Sequence, residues 1–373
     1  MHDRSPQHLC TMRSLFQRLP VALLAISLAS CNVVQLMERK AERAFRKSGL
    51  QEHTYITPEG PRHVWASATT GKPWLMLVHG VTGSCAQYAI NVKELARHHD
   101  LVVPDLIGHG KSTDTWTGNS VDEQVRHLQL LVDSLAINET ISVVGNSYGG
   151  AIVANYAEQH PQYTRLLVIY DGPANAYTKA IADSMARVIG ATDILDFFAT
   201  ETPEERLRNI NAVMAKPRWI PRFAIRQIQE ASAARQPIYQ GLLKDLVQRD
   251  AQYVTKRYMW TMPTFVLWGA KDGLIPPFVG EGIVRINDIP AERYIVFPDA
   301  GHVANIEIPK AFNETLLKVL RTEPGPCPEP TLVSDRPCTL DYDPYCGCDG
   351  RTYPNKCAAW RAGVRVVGRG ECR

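Results

Sequence analysis

The chain has 373 residues, long enough for one large domain with a small one, or for two of ordinary size. Its formal net charge is only +3 and it has no long basic run, which argues against a nucleic-acid partner. Nine cysteines are unevenly placed: Cys10, Cys31 and Cys85 are scattered, while six lie between Cys327 and Cys372, a crowding that implies disulfides and an oxidising compartment.

The start of the chain agrees with export. Arg13 and Arg18 precede the apolar stretch from Val21 to Ala29, which is too short to span a bilayer and has the shape of a secretory signal. Met1 and Met12 are both available as starts, and Met12 gives the shorter basic segment. The stretch closes on Leu28, Ala29, Ser30 and Cys31, which resembles the lipobox of bacterial lipoproteins. That resemblance implies a signal peptide over residues 1–31 and a lipid on Cys31, the first mature residue. Asn32 in place of Asp at the next position implies sorting to the outer membrane of a Gram-negative cell. An ordinary cleaved signal is the alternative.

Residues 32–49 form an amphipathic segment. Val33, Met37, Ala41, Ala44 and Phe45 fall at helical spacing with basic residues between them, and Gly49 marks the stop. Such a helix either lies on anionic headgroups or covers the edge of the next domain. From residue 50 to 322 strands and helices alternate. Trp74 to Val78, Leu101 to Val103, Thr140 to Val144 and Arg165 to Tyr170 read as strands. Ser120 to Leu135 reads as a helix opened by a capping box of Ser120 and Glu123, and a second helix follows from Ala151. Residues 173–258 break the rhythm with helices alone, one beginning at Thr202-Pro203, and read as a helical cap. Strands resume at Thr264 to Trp268 and Arg293 to Phe297, and a helix over 309–321 closes the domain. This alternation predicts an α/β architecture with a mostly parallel sheet. A linker over 323–326 then leads into a small cysteine-rich domain over 327–373.

The strand before Gly145 and the helix after Gly150 are joined by Gly145-Asn146-Ser147-Tyr148-Gly149-Gly150. A strand that turns sharply into a helix through such a sequence lifts one side chain, here Ser147, out of the carboxyl edge of the sheet. A serine hydroxyl needs a base, an orienting acid and an oxyanion hole to act as a nucleophile. His302, after the last strand, is the candidate base, ahead of His79 and His109. Asp272, after the preceding strand, is the candidate acid, ahead of Asp171. The backbone N–H groups of Tyr148 and Val81 are the candidate oxyanion donors. We find no metal-ligand spacing and no phosphate-binding loop, so neither a metal nor another cofactor is expected.

These elements resemble the α/β-hydrolase fold with a helical cap. The matching motifs are His79-Gly80, Asp105 to Ser112, the Gly145–Gly150 turn, Trp268 to Asp272, Gly301-His302 and Glu307 with Pro309. The resemblance implies a serine hydrolase of small-molecule or lipid esters, with Ser147, Asp272 and His302 as its triad. Asn146 is similar to the residue before the serine in C–C hydrolases of meta-cleavage pathways, a rival class. Val303 and Ile306 stand where that class usually carries tryptophans.

Cys338 to Cys357, with its C-x7-C and Y-x3-C spacings and Asn355, resembles the Kazal protease-inhibitor family. Trp360 occupies the place of that family's fifth cysteine, and Cys348 is additional. The family's pairing then implies Cys327–Cys348, Cys338–Cys357 and Cys346–Cys372. It also implies an inhibitor loop at Leu340 and Asp341 directed at a chymotrypsin-like or elastase-like serine protease, or else a spacer on the same scaffold. A binding protein with an inert hydrolase domain is the reading outside enzymology.

Overall fold

The computed structural model describes residues 32–113, 120–248, 256–323, 338, 340–362, 364 and 366–372. An eight-stranded sheet runs through the larger part in the order β1 (Leu50–Thr57), β2 (Gly60–Ser67), β4 (Asp100–Pro104), β3 (Trp74–Val78), β5 (Ile141–Asn146), β6 (Thr164–Tyr170), β7 (Thr264–Gly269) and β8 (Tyr294–Phe297). From β4 to β8 every neighbouring pair is parallel. β1 and β2 form an antiparallel hairpin, and β2 also runs antiparallel to β4. The sequence pattern does not announce this hairpin, because β1 lies at the sheet edge and buries only Leu50. The strands β3, β4 and β5 are buried at every position, which is why they read as continuous apolar runs.

Helices cover both faces and divide the core in two. One half gathers Val143, Ile152, Val125 and Leu128; the other gathers Leu77, Val144, Phe312 and Leu316. Helix α1 (Val33–Lys47) precedes the sheet, and its second half covers the sheet edge. There Ala41 and Phe45 are buried, and the Phe45 ring stacks on Trp65 of β2 at 5.2 Å between centroids. The helix ends at Ser48, followed by Gly49 at a φ of +84°.

Helix α2 (Val121–Ser134) starts as expected, with the Ser120 hydroxyl accepting from the Glu123 N–H. The expected capping box is only half built, because the Glu123 carboxylate pairs with Arg126 instead. Helix α3 (Tyr148–Gln159) starts three residues before the expected Ala151, so Gly149 and Gly150 belong to its first turn. Between β6 and β7 lie α4 (Lys179–Val188), α5 (Ile194–Phe198), α6 (Pro203–Ala212), α7 (Arg222–Ala233) and α8 (Gln236–Gln248). No strand occurs among the described residues of 173–258. Helix α6 carries the full capping box, Thr202 and Glu205 satisfying each other's backbone N–H groups ahead of Pro203. After β7, α9 (Pro277–Ile286) and α10 (Pro309–Leu320) complete the layers.

The tail holds a three-stranded sheet, β9 (Tyr345–Gly347) between β10 (Thr352–Tyr353) and β11 (Val366–Arg369), with a helix α11 (Lys356–Arg361). Its apolar core is confined to Tyr345, Ala359 and Val366 with Tyr353 against them, so covalent links must supply what burial does not. Cys338 is bonded to Cys357 and Cys346 to Cys372. Cys348 is also disulfide-bonded; Cys327, its expected partner, lies outside the described residues, as do Cys31 and the rest of the expected signal peptide. The tail meets the amino edge of the large sheet. Lys356 Nζ donates to the Glu158 carbonyl in the last turn of α3, where a cation opposes the negative end of the helix. Burial lowers the Lys356 pKa to about 8.

Phe45→Ala removes an aromatic side chain that is 1% exposed and strips the cover from Trp65. We expect a loss of roughly 3–5 kcal/mol in chemical denaturation. A loss below about 1 kcal/mol would mean that α1 is not part of the folded unit.

Candidate active site

The site is built at the carboxyl edge of β5. Ser147 joins β5 to α3 with φ 53° and ψ −125°, a conformation rare for a residue with a side chain. It is held there by the Ser147 N–H donating to the Tyr170 carbonyl at 3.1 Å and the Gly150 N–H donating to the Ser147 carbonyl at 2.7 Å. Strand and helix then pass so close that side chains are excluded. A Cβ on Gly145 would stand 2.1 Å from the Gly149 carbonyl oxygen, and one on Gly149 would stand 2.5 Å from the carbonyl oxygens of Val78 and His79. The start of α3 at Tyr148 directs its first N–H groups toward this edge.

His302 follows β8 and Asp272 follows β7, and the fold brings them together. His302 Nδ1 lies 2.6 Å from Asp272 Oδ2, with both side chains buried. The other oxygen of Asp272 accepts from the N–H groups of Leu274 and Ile275 at 2.9 Å each, so the carboxylate is fixed in place. Asp171 does not reach the imidazole. Its Oδ1 accepts from the Gly269 N–H at 2.8 Å, which ties β6 to β7 rather than capping the loop into the helical segment. Its Oδ2 is buried with no hydrogen-bond partner. Burial, with the Asp272 charge adding to it, raises the Asp171 pKa well above the usual carboxylate value.

The two competing histidines are otherwise occupied. His79 Nε2 accepts from the Leu106 N–H at 3.1 Å, so its Nδ1 carries the proton and donates to the Gly80 carbonyl at 2.8 Å. His109 lies between the rings of His79 and Tyr239, and burial lowers its pKa to about 3. Val81 sits in the turn closed by the Gly83 N–H donating to the Gly80 carbonyl at 3.2 Å. A Cβ on Gly80 would stand 2.9 Å from the Ser147 Cβ, so this backbone runs directly against the serine.

Two residues brace the arrangement in ways that the sequence reading does not anticipate. Asn146 donates to the His302 carbonyl at 3.1 Å and accepts from Gln87 Nε2 at 2.7 Å, tying the turn to the histidine loop. Glu307 accepts from the Gly301 N–H at 2.7 Å and from the Ala215 N–H at 2.8 Å, while the His302 N–H donates to the Val213 carbonyl at 2.8 Å. The loop after α6 is thereby strapped to the loop that carries His302. A carboxylate two residues before a helix-initiating proline, as in Glu307 and Pro309, was the available signal.

Ser147, Tyr148 and Val81 open into a cavity of about 610 Å³, part of it open to solvent. Its far walls are mostly apolar and come from the cap, with Ile194, Phe198, Leu243 and Leu246 facing Leu274 and Ile275. Away from it, His63, Cys85 and Asp105 bring three possible metal ligands within 4.8 Å of one another, all buried. Their donors are already engaged: Asp105 accepts from His63 Nδ1 and from the N–H groups of Cys85 and Lys111, and burial raises the Cys85 thiol pKa. That cluster organises the loop after β4.

The protonation of Asp171 has a measurable consequence. With its folded pKa raised, the folded state keeps a proton that the unfolded chain releases near pH 4, so stability falls as pH rises above that value. Asp171→Asn retains an acceptor for Gly269 and has no such proton to lose. We expect it to gain at least about 1 kcal/mol on the wild type between pH 4 and pH 7 in urea unfolding. A difference that does not change with pH would refute the assignment.

Comparison with known proteins agrees with this geometry. The alpha/beta hydrolase fold family matches residues 73–309, and the Kazal-type serine protease inhibitor domain matches residues 327–362. Lipase 3 of Moraxella sp. (strain TA144) is 29% identical over 311 residues, covering 79% of this chain and 95% of that one. Lipase 1 of Psychrobacter immobilis is 28% identical, covering 79% and 92%. Among solved structures, that of a membrane phospholipase A superposes with a TM-score of 0.64 at 20% identity, covering 80% of this chain and 96% of that one. The chain therefore belongs to the alpha/beta hydrolase fold family and carries a Kazal-type domain at its C-terminus.

Proposed function

We propose that the protein is a serine hydrolase of carboxylic esters. The observation that carries the reading is the buried 2.6 Å contact between His302 and Asp272, on the same sheet edge as the strained Ser147. In the proposed reaction the Ser147 hydroxyl attacks the acyl carbonyl while His302 Nε2 takes its proton. Asp272 holds the Nδ1 side and stabilises the imidazolium. The backbone N–H groups of Tyr148 and Val81 receive the negative charge of the tetrahedral intermediate. His302 returns the proton to the leaving alcohol, and water then cleaves the acyl-enzyme by the same steps in reverse order.

The substrate side of the reading rests on the cavity. Its apolar cap walls suit an acyl chain, whose burial yields about 0.8 kcal/mol per methylene. The lipase relatives match over most of their own length, which supports an ester of a fatty acid. The lipobox at Cys31 supports export and attachment to the bacterial outer membrane through a lipid, where such esters are met. At the other end, Leu340 and Asp341 are exposed, and Asn355 Nδ2 donates to the Asp341 carbonyl at 3.1 Å. That bond stiffens a loop which the Kazal resemblance directs at a chymotrypsin-like serine protease.

Ser147→Ala is expected to lower kcat on p-nitrophenyl esters by at least about a thousandfold with the melting temperature unchanged within a few degrees. Residual activity within tenfold of the wild type, or turnover of ring-cleavage dienones but not of esters, would overturn the reading.

For the tail, the full chain carrying Ser147→Ala should inhibit chymotrypsin. Adding Leu340→Asp should weaken inhibition at least about thirtyfold, the size of an interface hot spot. Absence of inhibition of both chymotrypsin and elastase would leave the domain as a spacer.

A further inference from the structure

Helix α1 begins against the cap. The Val33 N–H donates to Gln227 Oε1 at 2.7 Å, so the first turn of α1 rests on α7. Cys31 is two residues earlier and the apolar run from Val21 to Ala29 ends just before it. Helix α1 therefore starts beside α7, two residues from the cysteine proposed to carry lipid.

Large apolar side chains stand exposed in that neighbourhood. Leu36 and Met37 on α1 are 43% and 58% exposed, Trp219 in the loop before α7 is 86% exposed and Phe223 on α7 is 36% exposed. Phe223 is one helical turn before Gln227 on the same face of α7, which sets it next to the start of α1. Single exposed hydrophobics need no explanation; a group gathered beside the start of α1, two residues from the proposed lipid attachment, does.

The charge around them is mostly basic, with Glu38, Glu42, Glu204 and Glu230 as the acidic residues nearby. From Lys216 to Gln229 the chain carries Lys216, Arg218, Arg222 and Arg226, all exposed, and no acidic residue. Glu204 of α6 reaches in to pair with Arg222 at 2.7 Å. α1 adds Arg39, Lys40 and Arg43, also exposed, alongside Glu38. An indole flanked by cations suits the boundary between headgroups and acyl chains. The strip also starts one residue after Ala215, in the loop that Glu307 and His302 hold, so it borders the candidate active site.

We infer that Trp219 and Phe223, with the first turn of α1 and the basic residues around them, form a docking face that seats the cap on an anionic lipid surface. The inference rests on the membrane location proposed above and deepens it. The lipid would not merely tether the chain; the cap and the loop next to His302 would press into the bilayer.

The test uses the purified full chain mixed with phosphatidylglycerol vesicles containing brominated lipid. Flotation reads membrane binding, and the fluorescence difference between the wild type and Trp219→Phe reads the position of that indole. We expect the protein to float, the Trp219 component to be quenched, and Arg218→Glu with Arg222→Glu to remove most of that quenching. Hydrolysis of soluble p-nitrophenyl acetate should be the same in all three forms. Protein that floats without quenching of Trp219 overturns the docking face and leaves the membrane location standing. Protein that does not float overturns both. Quenching without any esterase activity supports the face and removes the enzymatic reading alone.

Discussion

Everything at the carboxyl edge depends on how closely β5 and α3 approach each other. With Gly145 and Gly149 nearly in contact, the chain has no room to turn except through a strained residue, and Ser147 takes that conformation. The strain is held by backbone hydrogen bonds to β6 and within the turn, not by the serine side chain, so the hydroxyl is left available for chemistry. The same approach brings the Gly80 backbone against Ser147 and the start of α3 beside it. One steric constraint therefore lifts the proposed nucleophile and sets both proposed oxyanion donors around it.

The second organising contact joins the cap to the sheet. Two hydrogen bonds join the loops after α6 and after β8, from the His302 N–H to the Val213 carbonyl and from the Ala215 N–H to Glu307, and Glu307 also holds the Gly301 N–H beside His302. Asn146 completes the tie from the other side. The proposed base is thus positioned by groups from the cap, the histidine loop and the β5 turn together. A displacement of the loop at Lys216–Ile220 would reach the His302 loop through the neighbouring Ala215–Glu307 hydrogen bond. That is the physical reason a docking surface on this loop matters for the site beside it.

The tail sits at the opposite edge of the sheet. Lys356 closes the carboxyl end of α3, the helix whose amino end faces the candidate active site. The exposed loop at Leu340 points into solvent rather than onto the hydrolase domain. The two ends of one helix thus meet two different parts of the molecule, the candidate active site and the tail.

Much of this was legible in the chain itself. Buried parallel strands are apolar along their whole length, so β3, β4, β5, β6 and β7 could be read directly, and glycine spacing announced the turn at Ser147. Ser147, Asp272 and His302 were readable because each follows a strand, and in a parallel sheet the residues after the strands converge on one edge. The β1–β2 hairpin was not readable, because an edge strand with one open face carries too few apolar residues to stand out. Nor could local pattern show which part of α1 is buried: Phe45 is covered because Trp65 lies beneath it, while Leu36 and Met37 remain exposed. Asp171 and Glu307 show the same limit. Their partners are nearly a hundred residues away in sequence, on Gly269 for Asp171 and on Ala215 for Glu307. Which carboxylate meets the histidine, and which has its pKa raised, is settled by burial and by the neighbouring charge, and both are products of tertiary packing.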